Sequence, residues 1–372
     1  MMKIKKIEMF LTKMELLQPF RTHLGTVSER ESILLKMTDM DGVSGWGEVV
    51  AFSSPWYTEE TIQTSWHMLE DFFIPSLLQG QWEHPSEIHD ALLVWKGNPM
   101  ARAGVEMAGW DLFAKKAGKS LSDYIGGTRK KVEAGVVVSV DSPSSMIETI
   151  TLRVKEGYQR VKVKVDPGYD YEMLHAIRSE FPKLALMADA NSAYTLDAVD
   201  RLRKLDELQL MMIEQPLASD DIVEHAELQK QLTTPICLDE SIVSYQDAVN
   251  AIKLGSCQVI NIKIGRVGGL TNAIRIHDLC MRNRLPVWCG GMLETGISRL
   301  FNIALASLPN FTIPGDISAS SRYWKKDVIE PEVVVTEGKI TVPTSPGIGY
   351  RVNERYIRDI SAKTNSYPKV DL

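Results

Sequence analysis

Five ionisable side chains recur down the middle of the chain, at Lys164, Asp189, Glu214, Asp239 and Lys263, separated by 25, 25, 25 and 24 residues. Each ends an apolar, β-branched run and is followed by a helix-like segment, so the period is one strand plus one helix. Repetition of that unit predicts a parallel barrel, in which the C-terminal ends of successive strands converge on one open face. Two amines and three carboxylates then share one pocket.

The rest of the chain fits around that barrel. A division falls near Gly126-Gly127-Thr128. Before it, residues 3–12 and 32–39 read as strands, Asp41-Gly42 supplies a turn, and 58–78 and 101–117 read as helices, which makes residues 1–128 an α+β domain. From Lys131 the pattern alternates, with strands near 133–140, 160–165, 184–189, 209–214, 235–239, 257–263, 285–289 and 311–315. Amphipathic segments such as 171–181, 221–232 and 270–283 supply seven crossover helices. The stretch 318–324 reads as irregular, so the expected fold is α/β, a (β/α)7β modified TIM barrel over 129–325 under the α+β capping domain. Residues 326–372, including 338–343, are expected to return to the first domain.

Composition narrows the partners. With 372 residues, 44% of them hydrophobic and 24% charged, the chain can bury a large core. A net charge of −6 without a basic run argues against nucleic acid or an anionic membrane as partner. Glu8, Lys13 and Glu15 interrupt any signal-like apolar stretch at the start, so a cytoplasmic location is expected, and a homo-oligomer with it. Cys237, Cys257, Cys280 and Cys289 lack C-x-x-C spacing and lie in or beside apolar runs, which predicts reduced, mostly buried thiols in place of zinc or disulfides.

In Arg160-Val161-Lys162-Val163-Lys164-Val165, the strand period of two sends the valines toward the helices and both lysines to the opposite side. An edge strand with snorkelling lysines would read the same way, but the flanking β-α repeats argue for the barrel interior. An ammonium beside a second ammonium and near a metal has its charged form disfavoured, so its pKa is expected to fall. Lys164, nearer the strand's C-terminal end, is then the base and Lys162 its electrostatic neighbour. The runs ending at Asp189, Glu214 and Asp239 could each supply a helix cap. Three in register on adjacent strands would instead repel one another unless a cation sat among them. Oxygen donors without His or Cys select a hard ion, Mg²⁺ or Mn²⁺. Lys263 lies four strands from Lys164 around a ring of eight. A small carboxylate-bearing substrate held between the two amines would lose its α-proton to give an enediolate.

The K-x-K pair, Asp189-Ala190-Asn191, Glu214-Gln215-Pro216, Asp239-Glu240-Ser241 and the sixth-strand lysine resemble the muconate-lactonizing branch of the enolase superfamily over essentially the whole chain. Within that branch, Trp46-Gly47-Glu48 through Tyr57, Gly290-Gly291-Met292-Leu293-Glu294-Thr295-Gly296 and Pro314-Gly315-Asp316-Ile317-Ser318 resemble the o-succinylbenzoate synthase / N-acylamino acid racemase family. The resemblance implies Lys164 and Lys263 as the acid/base pair, Asp189, Glu214 and Asp239 as Mg²⁺ ligands, and a cap closing the barrel mouth. Asn191, Glu240, Phe20, Phe52, Ser53, Gly291 and Met292 are expected around the metal site or the substrate. Residues 19–22 and 51–57, without strand or helix periodicity, read as a lid. Gly290-Gly291 would let the backbone approach a ligand.

Other activities of the superfamily fit less well. A site of the mandelate racemase type needs a histidine opposite the base, and none of the seven histidines falls in register. Dipeptide epimerases carry Asp-x-Asp on the eighth strand, where this chain has Asp316-Ile317-Ser318. A dedicated racemase or a cycloisomerase remains an alternative, and a non-catalytic ligand-binding relic would be expected to have lost a rung.

Overall fold

The computed structural model describes residues 1–22, 25–138 and 142–368, with the side chains at 20–22 and 25 outside that description. The cap is built on a four-stranded antiparallel sheet in the spatial order Ser361–Tyr367, Ile4–Thr22, Gly25–Asp39, Ser44–Val49. The first two strands are far longer than the side-chain pattern suggested. Their ladder resumes after a register shift and runs from Phe20↔Val27 to Thr22↔Gly25, so residues 19–22 belong to a hairpin and not to an irregular lid. Backbone pairing carries this segment, which side-chain periodicity does not report. At the next turn Gly42 takes φ +84°, and Asp39 Oδ1 accepts from Asp41 N (3.0 Å) and Val43 N (2.9 Å).

One long cap helix, Pro99–Lys116, packs against Ser44–Val49. A Cβ at Gly47 would lie 2.0 Å from Gly104 O, so only glycine admits this approach of helix to strand. The helix expected over 58–78 begins at Ile62, because Glu60 is used elsewhere: its carboxylate accepts from Met100 N (2.7 Å) and Ala101 N (2.8 Å) at the start of the long helix. It then widens into a π turn over Leu69–Phe73, just before Pro75, which cannot donate to an α turn.

Among the described residues, seven parallel strands form the barrel wall in sequential order: Val136–Val138, Arg160–Lys164, Ala185–Asp189, Ile213–Glu214, Ile236–Leu238, Val259–Ile262 and Val287–Cys289. The expected eighth strand is reduced to two bridges, Phe311 to Val287 and Gly315 to Ala134, which close the ring. The run expected at 133–140 is broken at Gly135. There the Arg160 guanidinium would stand 2.1 Å from any Cβ; Val136–Val138 enters the barrel, and residues 139–140 lie outside the described residues. Among the described residues, seven helices follow the strands, from Pro143–Lys155 to Gly296–Ala306; the one predicted at 221–232 is shorter, Val223–Gln229. Met187, Met212, Cys237, Val259 and Trp288 fill the barrel's centre. A 3-10 turn, Ser320–Arg322, occupies the irregular stretch.

The tail pairs in two places. Lys339–Thr341 pairs with Lys131–Glu133 at the barrel, and it is Ser361–Tyr367 that joins the cap sheet. All four cysteines are buried and unpaired. Among the described residues no helix is long and apolar enough to cross a membrane.

Candidate active site

The C-terminal strand ends open into a cavity of about 390 Å³ whose wall includes Lys162, Lys164, Asp189, Asp239 and Lys263. Register explains the convergence. Lys164 pairs with Asp189 and Asp189 with Glu214 across parallel strands, so three rungs sit at one height. Glu214 lies just below the cavity, fully buried. Positive φ at Asn191, Ser192, Gln215 and Leu293 clusters around the same rim, as backbone strain does where side chains are aimed at a site.

Each carboxylate is engaged by cations of the chain. Asp189 Oδ2 takes Lys164 Nζ at 2.6 Å and Lys162 Nζ at 3.1 Å. Glu214 Oε2 takes Lys162 Nζ at 3.1 Å, while its Oε1 accepts from Asn261 Nδ2 at 2.9 Å. Asp239 Oδ2 takes Lys263 Nζ at 2.8 Å, and its Oδ1 takes the guanidinium of Arg266. Lys162 also reaches Asp316 Oδ2 at 2.7 Å, and Asp316 in turn holds Arg160.

These contacts set the electrostatics of the site. Burial disfavours the Lys162 ammonium, yet Asp189, Asp316 and Glu214 outweigh it, so its pKa stands well above the ordinary value. Lys263 is likewise raised: burial pulls it down, and Asp239, Tyr57 and Glu240 together outweigh that pull. A second ammonium is a weaker influence here than the carboxylates. Burial and the neighbouring Asp189 push Glu214 up to about 8, and burial with Asp239 pushes Glu240 up to about 7. Asp189 and Asp239 stay low despite burial, through Lys162 and Lys164 for the first and Arg266 and Lys263 for the second.

Among the described residues, no three His, Cys, Asp or Glu side chains are drawn together closely enough to hold an ion. The donor set nonetheless fits a hard cation. Asp189, Glu214 and Asp239 offer only oxygen, burial first and then repulsion from Asp189 raise Glu214, and the buried Glu240 Oε2 has no hydrogen-bond partner. Three ammonium groups crowd the same carboxylates.

The flanking predictions divide. Asn191 accepts from Lys164 through Oδ1 and donates from Nδ2 to Glu240 Oε1 at 2.9 Å, and both residues line the cavity. Phe52, Gly291 and Met292 line it too. Ser53 does not; its hydroxyl donates to Glu31 Oε2 at 2.6 Å on the surface. The side chain of Phe20 lies outside the described residues. Gly290, expected to approach a ligand, meets the chain itself: its Cβ would lie 2.7 Å from Lys263 Cε.

Four residues were passed over. Tyr57, in a ring cluster with Phe52 and Trp56, accepts from Lys263 Nζ at 2.9 Å and Arg266 Nη1 at 3.3 Å. Arg266 is fully buried and also donates to Ile242 O (2.8 Å) and Asn261 O (2.7 Å). Asn261, two residues before Lys263 on the same strand, could have been found from the period of two. Asp316 entered only as part of motifs, without a role of its own, and its pairing with Lys162 needs the closed ring.

Two family models together match most of the chain: residues 145–356 match "Enolase C-terminal domain-like", and 6–126 match "Mandelate racemase / muconate lactonizing enzyme, N-terminal domain". The chain is 55% identical over 367 residues to a protein of Bacillus subtilis (strain 168) named o-succinylbenzoate synthase, covering 99% of each. It is 44% identical over 350 residues to an Amycolatopsis protein named N-succinylamino acid racemase, covering 94% of this chain and 95% of that one. A crystal structure from Listeria innocua, described as a member of the enolase superfamily, superposes with TM-score 0.96 at 40% identity, over 98% of this chain and 99% of that one.

Proposed function

The chain belongs to the mandelate racemase / muconate lactonizing enzyme family of the enolase superfamily, and on that premise we propose that it is an o-succinylbenzoate synthase that also racemises N-succinylamino acids. Both reactions begin by removing the proton α to a carboxylate. The observation that carries the reading is the pair of amines, Lys164 and Lys263, in one cavity with Asp189 and Asp239, with Glu214 buried beside Asp189 on the next strand. Near-full-length similarity to relatives bearing both names supports the two activities together.

In this reading Asp189, Glu214 and Asp239 hold Mg²⁺, with Mn²⁺ as the alternative hard ion. A bound divalent cation would supply Lewis-acid stabilisation of the substrate carboxylate as negative charge builds on it. Neutral Lys164 takes the α-proton, breaking the C–H bond and sending its electrons into the enediolate. In the dehydration the enediolate re-forms its carboxylate as the C–O bond breaks, and the Lys164 ammonium returns the proton to the departing hydroxyl on the same face, so water leaves. Lys263 stays cationic and stabilises the enediolate, held in place by Tyr57 and Asp239. Racemisation uses both amines, each giving or taking the proton on its own side. Lys162, anchored by Asp316, supplies fixed positive charge beneath the carboxylate.

The same reading makes the protein a cytoplasmic homo-oligomer acting on small carboxylates, with neither nucleic acid nor membrane as partner; light scattering on the purified protein checks the assembly. The activity test uses purified protein with Mg²⁺, the cyclohexadiene precursor and N-succinylamino acids of either hand. Formation of the aromatic product and appearance of the opposite enantiomer are expected. Racemisation alone would favour a dedicated racemase, and neither reaction would overturn the proposal.

A further inference from the structure

Residues 264–269 connect Lys263 to the helix Leu270–Arg282, and this short loop is pressed against the cap. A Cβ on Gly265 would lie 2.4 Å from Val50 Cγ2 of the cap. Gly269 takes φ +128°, and its Cβ would lie 1.9 Å from Glu106 Oε2. The loop is thus shaped to lie under one cap side chain.

That side chain is a fully buried carboxylate. Glu106 sits in the long cap helix, and its two oxygens reach across the domain boundary: Oε2 accepts from Leu270 N at 2.6 Å and Oε1 from Thr271 N at 2.9 Å. Trp110, one turn on, donates its Nε1–H toward Glu106 Oε1 (3.0 Å) and Thr271 Oγ1 (3.2 Å). A carboxylate at a helix start satisfies backbone donors and meets the favourable end of the helix dipole. The first turn of this helix is therefore fixed by the cap, and with it the loop that begins at Lys263.

Lys164 is held differently. The helix after it, Tyr171–Glu180, is capped by Asp170, which takes Arg201 Nε at 2.5 Å and Tyr194 Oη at 2.8 Å, all of them barrel residues. One amine is thus braced within the barrel, and the other through the cap.

We infer that Glu106 is a positioning residue for Lys263: by clamping the start of the helix Leu270–Arg282 it sets that amine on its face of the substrate, so cap docking governs one of the two proton-transfer faces. The inference rests on the two-amine reading of the site given above. Glu106 touches neither substrate nor reacting atoms and acts through the loop.

The test is Glu106→Gln, which keeps the shape but leaves one acceptor oxygen for donors that now use two. The first readout is amide hydrogen exchange, which needs no substrate. Peptides spanning 264–273 should exchange faster by about fivefold or more, with those over 160–170 unchanged. The second is solvent deuterium exchange into each enantiomer of an N-succinylamino acid. The enantiomer whose exchange Lys263→Ala abolishes should slow by about tenfold, and the other by less than about threefold. Trp110→Phe, which removes one donor and keeps the ring, should shift both readouts in the same sense by less, and stands in if Glu106→Gln does not fold. Unchanged loop exchange, or equal slowing of the two enantiomers, would overturn the inference. If the unaltered enzyme exchanges neither enantiomer, it is the two-amine reading that fails, while the loop exchange still decides whether Glu106 clamps the loop.

Discussion

Lys263 and Asp239, at the ends of adjacent barrel strands, meet with Nζ 2.8 Å from Oδ2. Lys164 and Asp189 make the corresponding contact at 2.6 Å. Lys263 and Lys164 thus each rest on a carboxylate at the end of a neighbouring strand, Lys164 sharing Asp189 with Lys162.

That arrangement predicts separate stereochemical duties. Lys263→Ala should stop solvent deuterium exchange of one enantiomer of an N-succinylamino acid more than the other, with Lys164→Ala giving the reverse preference, as read by proton NMR. Racemisation should be suppressed in both variants, by about a thousandfold if each loses a general base. Equal exchange of both enantiomers in the two variants would place the lysines on one face.

Removing divalent metal with excess chelator should abolish both reactions, and Mg²⁺ or Mn²⁺ should restore them. Three carboxylates beside a developing enediolate add negative charge where it is least tolerated, and a cation reverses that. Full activity in chelator would sink the metal assignment.

Glu214→Gln should weaken Mg²⁺ binding by at least about tenfold in calorimetry. The fold should survive, because strand-end ligands serve the site more than the core. Burial and Asp189 already disfavour the Glu214 charge, so the metal-free variant should melt at or above the unaltered protein. An unchanged Mg²⁺ affinity would count against Glu214 as a ligand.

A pH effect on stability is expected at His89, a buried cap histidine. Burial first, then Arg102 and Arg275, lower its pKa to about 4 from 6.5, with Asp90 opposing. Above pH 6.5 both folded and unfolded chains hold it neutral, and its contribution is intact. As pH falls from 6.5 toward 4 the unfolded chain takes the proton first, so stability is lost over that window. Urea titrations across it should show a shallower decline for His89→Leu, by up to about 1.4 kcal/mol per pH unit. Parallel profiles would mean the ring is already protonated in the folded state.

Much of the site was legible because strand and helix periods are local. The five-rung ladder placed Lys164, Asp189, Glu214, Asp239 and Lys263 at the same end of successive strands without reference to any other part of the chain, and the valines flanking Lys162 set which way the lysines face. Where a strand is held by backbone pairing alone, as at residues 19–22, or reduced to single bridges, as at Phe311 and Gly315, side-chain pattern carries less of the information.

The sequence by itself determined the repeating unit, the register of the charged strand ends and the hard-oxygen character of the donors, since each follows from residue type and spacing of two or about twenty-five. Only the tertiary structure decided what each charge rests against. Tyr57 meets Lys263 across 206 positions, Asp316 meets Arg160 across 156 and Glu106 meets Leu270 across 164. Such pairings arise when the ring closes and the cap docks, and electrostatic energy depends on distance in space, which separation along the chain does not encode.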